Sequence, residues 1–139
     1  MKAIRRLTQP SSDSCVATCM AMLVGDKEVD KDFHIAHYLK REVSIVKYLH
    51  VRGIRAWRPQ YMANEFPHRL GQGYVFVVQT PSLNWENAMH MLIVDHRTEH
   101  PQVIDPMDGY DDKSLVYRKI GNDVTDLRFW TVEAVVDLA

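Results

Sequence analysis

The periodicity of the apolar residues changes midway along this 139-residue chain, and that change limits the fold more than any other feature. Up to about residue 53 the apolar positions recur at helical spacing. Residues 14–24 carry Cys15, Ala17, Cys19, Met20, Met22 and Leu23, with Gly25 as a stop and Ser11, Ser12 or Asp13 available as a cap. A second helix is expected over about 30–39, and a third over about 43–51, stopped by Gly53. Residues 54–57 read as a short strand, and 61–70 as a further short helix closed by Gly71 and Gly73. From there the pattern is β-branched and aromatic. Strands are expected at 74–79, 90–95, 102–105 and about 127–136, with 96–101 as a hairpin loop. Helices first and strands later predict an α+β domain, helices packed on a small antiparallel sheet.

The size supports one domain over 1–139 with a real core. Apolar residues are 46% and charged residues 25% of the chain, ordinary for a globular protein. A net charge of −1 argues against nucleic acid or an anionic membrane as partner. No apolar run reaches bilayer length, and the first ten residues are too short and polar for a signal peptide. Two cysteines four residues apart do not make a disulfide framework, so free thiols in a reducing compartment are expected. That compartment is the cytoplasm, or a host cytosol reached by an injected or viral protein.

Four residues point to chemistry. The polar run from Gln9 to Ser14 stops at Cys15, where the apolar helix begins. A thiol there meets the positive end of the helix dipole, which favours a thiolate. His90 opens an apolar strand, and Asp105 closes the next one just before Pro106. Pairing of those strands as a hairpin returns Asp105 beside His90, where it can accept the imidazole Nδ1–H and orient the ring. The Gln9 amide can join the Cys15 backbone N–H as an oxyanion hole. Together they meet the needs of cysteine attack on a carbonyl: a thiol, a base, its orienter and anion donors.

This constellation resembles the papain-like cysteine peptidases, most of all their compact C39-like, bacteriocin-leader-peptidase branch. The resemblance rests on Gln9 six residues before Cys15, on Cys19 with Ala21-Met22, on His90 followed by Met-Leu-Ile-Val, and on Asp105-Pro106 with Gly109 soon after. It covers about residues 5–110 and implies a papain-like fold with catalytic Cys15, His90, Asp105 and Gln9. It implies hydrolysis of a peptide or isopeptide bond in a peptide or protein substrate, with no cofactor and no metal. The family usually has Gly after the nucleophile. Here Val16 stands there and is expected to narrow the groove, so Val16 and Trp85, five residues before His90, are the expected substrate-contacting residues.

The same residues also suit glutamine deamidation or transglutamination, and Val16 favours a third reading, a binding module that keeps the fold without turnover. A helix-borne cysteine is by default a small buried hydrophobe, the role expected of Cys19. His96, at the far end of the same strand, is the rival base; His50 suits a helix C-terminus. His34, His37, His68 and His100 read as solvated or loop residues. Cys15-x3-Cys19 with His96-x3-His100 lacks zinc-knuckle spacing, and Asp108, Asp111 and Asp112 miss the calcium-loop pattern.

Overall fold

In the computed structural model, which describes residues 2–11, 14–29, 33, 44–59, 72–81, 89–99, 102–106 and 131–138, the first apolar run forms helix α1 (Cys15–Val24). All residues from Cys15 to Leu23 are buried. A helix that is apolar on every side belongs in an interior, which is where this one lies. It starts one residue later than expected, and its N-cap is Ser14 rather than Ser11, Ser12 or Asp13. Ser14 makes no side-chain cap. Its Oγ instead donates to the Ser11 carbonyl at 3.0 Å and accepts the Ser11 N–H at 3.2 Å.

The other end stops as the sequence predicts. Gly25 adopts φ +82° and its N–H bonds the Ala21 carbonyl at 2.9 Å. A Cβ at Gly25 would meet only Lys2 side-chain atoms at 3.6 Å, an ordinary contact. The cost of Gly25→Ala is therefore conformational. It is expected to be about 1 kcal/mol, read as a fall of roughly 3–5 °C in Tm by thermal denaturation.

Helix α2 (Ile45–Val51) begins at Ser44, whose hydroxyl caps the Lys47 N–H at 3.2 Å. It buries Tyr48 and Leu49. His50 sits in its last turn as expected and also donates from Nε2 to the Ala56 carbonyl at 2.7 Å, tying the helix to the first strand.

The strands are β1 (Arg55–Trp57), β2 (Tyr74–Pro81), β3 (Met89–His96), β4 (Gln102–Ile104) and β5 (Thr131–Asp137). They form one sheet in the order β1-β5-β2-β3-β4, every neighbour antiparallel. Val75, Val77, Met91, Ile93, Ala134 and Val136 share the core cluster with α1. The alternate positions Phe76, Val78, Leu92 and Val94 are buried as well. Burial on both faces explains why β2 and β3 read as continuous apolar runs instead of alternating ones. At the β3–β4 turn, Arg97 donates to both Asp95 oxygens and to the carbonyls of Lys2 and Leu138, stapling the first and last described segments together.

The α+β architecture and antiparallel sheet agree with the sequence reading. Helices expected at 30–39 and 61–70 lie outside the described residues, except Phe33, which is buried against Tyr48. The first residues of the 127–136 strand, 127–130, lie outside them too, as do Trp85, Asp108, Asp111, Asp112, His34, His37, His68 and His100.

Candidate active site

The site is assembled by one helix end and one hairpin. β3 and β4 pair with Ile93 opposite Ile104, so the residue after Ile104 stands across from Leu92, one diagonal step from His90. That residue is Asp105, and its Oδ1 lies 2.6 Å from His90 Nε2. Both side chains are almost fully buried. The expected hairpin thus brings the pair together, with one correction. The carboxylate takes Nε2 rather than Nδ1, because it reaches the ring from the β4 side. This leaves Nδ1 as the ring atom available to the thiol. The Cys15 side chain acts on the same imidazole, favouring its cationic form together with Asp105.

Electrostatics follow from this arrangement. Burial, the largest single influence, disfavours the imidazolium. The hydrogen bonds from Asp105 and Cys15, with their charges, outweigh it and raise His90 from 6.5 to about 9. His90 is therefore a cation at neutral pH, held between two groups that can carry negative charge.

Gln9 lies beside this pair. Its backbone N–H donates to the Pro106 carbonyl at 2.8 Å, fixing the N-terminal segment next to Asp105. Its side chain is buried, and Nε2 donates one hydrogen to the Ser11 carbonyl at 2.6 Å. Its Oε1 has no partner among the described residues. The loop that carries Gln9 is thus tied to Ser11, just before the helix start, and to the Pro106 backbone beside Asp105. Ser14 turns its hydroxyl away and does not cap the first turn of α1.

Cys19, the second thiol, is fully buried with Sγ 3.6 Å from the Met91 carbonyl, the core role expected of it. Both cysteines are free. His96 is no rival for the thiol. It ends β3 opposite Tyr74, six residues from His90, about 20 Å along an extended strand.

A groove of about 490 Å³ lies between α1, α2 and the sheet, with none of Cys15, His90, Asp105 and Gln9 in its lining. Val16 and Met91, the residues after Cys15 and His90, line it together with Ile45 and Val46. Access to the thiol itself is narrow, since Cys15 is 8% exposed. The polar end of the groove, with Gln79, Arg58 and Glu133, has no counterpart in the sequence reading. Its one sequence signal is a glutamate interrupting the apolar run at 132–136.

No helix among the described residues is long and apolar enough to cross a membrane. Comparison with protein-family models, curated proteins and solved structures gives no match to this chain.

Proposed function

We propose that this protein is a papain-like, cysteine-dependent hydrolase acting on a peptide or isopeptide bond. The observation that supports this reading is the buried His90–Asp105 pair, on whose imidazole Cys15 also acts. The Cys15 thiolate attacks the carbonyl carbon, forming a C–S bond as the carbonyl electron pair moves to oxygen. The Cys15 N–H and the second Nε2 hydrogen of Gln9 receive the oxyanion. His90 gives its proton to the leaving amine as the C–N bond breaks, then takes one from water, which attacks the thioester and releases the thiolate. Asp105 keeps the ring oriented and its cation stabilised throughout.

Deamidation or transamidation would use the same steps with a side-chain amide as substrate. Intact-mass and peptide mass spectrometry of treated protein substrates separates them. Chain scission is the expected result, whereas a gain of about 1 Da at glutamine assigns deamidation instead. One observation favours a binding module without turnover, the coverage of the thiol at 8% exposure. Iodoacetamide decides that case. A catalytic Cys15 reacts much faster than a free model thiol at pH 6, and equal or slower reaction supports the binding module.

A further inference from the structure

Resting on the hydrolase reading, the geometry points to Thr80 as a positioning residue for His90: its hydroxyl accepts the imidazolium Nδ1–H once the Cys15 sulfur has bonded to the substrate carbon. β3 lies between β2 and β4 in the sheet. On the β4 side His90 meets Asp105, which holds Nε2. On the β2 side the residue paired with His90 is Thr80. Paired residues point to the same face of a sheet, with their Cβ atoms about 5 Å apart. Nδ1 is bonded directly to Cγ of the ring, so it lies nearer the strand than Nε2 does. A threonine hydroxyl on Cβ and an Nδ1 so close to its own Cβ can together span that gap. The imidazole thus stands between a carboxylate on one strand and a hydroxyl on the other.

The hydroxyl is costly where it stands. Thr80 is 0% exposed, just past the apolar run 75–78, and its Oγ1 has no hydrogen-bond partner among the described residues. A buried hydroxyl without a partner lowers stability, and valine offers nearly the same shape without that penalty. A use during turnover accounts for a group that the resting structure leaves idle. In the resting site Cys15 acts on the imidazole and favours its cation. When the sulfur bonds to carbon it loses its negative charge and stops being a good acceptor. The imidazolium still carries Nδ1–H at that stage, and a buried N–H without an acceptor is unfavourable. Thr80 Oγ1 then accepts from Nδ1–H, which keeps the ring in place and its charge stabilised until the leaving amine arrives at the proton. No bond to Thr80 forms or breaks. The proton still passes from Nδ1 to the amine nitrogen.

The test compares Thr80→Val, which removes the hydroxyl and keeps the shape, with Thr80→Ser, which keeps the hydroxyl. A proteome-derived peptide library is digested with wild-type protein, and kcat and KM are then measured on a peptide whose cleavage depends on Cys15. Thr80→Val is expected to lower kcat about tenfold with little change in KM. Its Tm is expected to be unchanged or higher, because no resting hydrogen bond is lost. Thr80→Ser is expected to recover most of the rate. The alkaline limb of kcat/KM is expected to stay at its wild-type position in both variants, since that limb reports the free enzyme, where the hydroxyl is not engaged. An unchanged kcat in Thr80→Val, a fall that Thr80→Ser does not recover, or a fall that comes with a lower Tm or a shifted limb overturns the role of Thr80 and leaves the hydrolase reading standing. Absence of any Cys15-dependent cleavage overturns both.

Discussion

Cys15→Ser is expected to lower kcat/KM on any peptide taken from such a library by roughly 10⁴-fold or more. The substitution keeps volume and hydrogen-bonding capacity, so α1 and its contact with His90 remain and circular dichroism should be unchanged. What it removes is the nucleophile. An imidazolium can stabilise a thiolate, but a hydroxyl gives up its proton far less readily and supplies no comparable anion. The second thiol cannot replace the first, because Cys19 is fully buried one turn further into the core with its Sγ against the Met91 carbonyl. Alkylation mapped by mass spectrometry should therefore fall on Cys15 in the native protein and reach Cys19 only on unfolding. Retention of most of the activity in Cys15→Ser, or preferential labelling of Cys19, would remove the basis for the mechanism.

The second large effect belongs to Asp105. Its contact lifts His90 against a burial penalty that on its own would push the imidazole below its ordinary value. In Asp105→Asn the charge is lost while the shape is kept, and the His90 cation should be less favoured. The alkaline limb of kcat/KM, expected near 9 in the wild type, should move to lower pH, and the rate at pH 7 should drop roughly 10²-fold.

Stability changes with the same sign. A histidine whose folded value lies above its unfolded value contributes stability that is fully present below about 6.5. That contribution is lost as pH rises through about 9. The span corresponds to roughly 3 kcal/mol, or a fall of about 10 °C in Tm between those limits. Asp105→Asn should flatten this slope. Thermal denaturation from pH 6 to 9.5 measures it, and an identical slope in wild type and variant would show that Asp105 does not hold the imidazolium.

The parts of the site that were legible in sequence are those set by local rules. Cys15 marks α1 because a polar turn-forming run gives way to an uninterrupted apolar one. His90 and Asp105 lie at strand ends that a hairpin brings together, and register then leaves few places for the second residue. Other features were not legible for equally physical reasons. Which ring nitrogen meets Asp105 depends on the side from which the carboxylate approaches, a matter of sheet twist and side-chain rotamer. Ser14 as N-cap, with its hydroxyl turned back to Ser11, is a choice among several neighbouring polar residues that propensity alone does not separate. The extra position of Glu133 is visible only in the β2–β5 ladder.

By itself, then, the sequence determined the α+β composition and the order of the chemical groups along the chain. Those depend on periodicity, turn residues and cap residues, all local in the chain. Tertiary structure alone decided that β5 lies between β1 and β2, that the slip it makes there turns a carboxylate inward, and that His90 is held as a cation. Each of these comes from groups far apart in sequence meeting where water is excluded. Only there do a single hydrogen bond and a single charge outweigh the cost of burial.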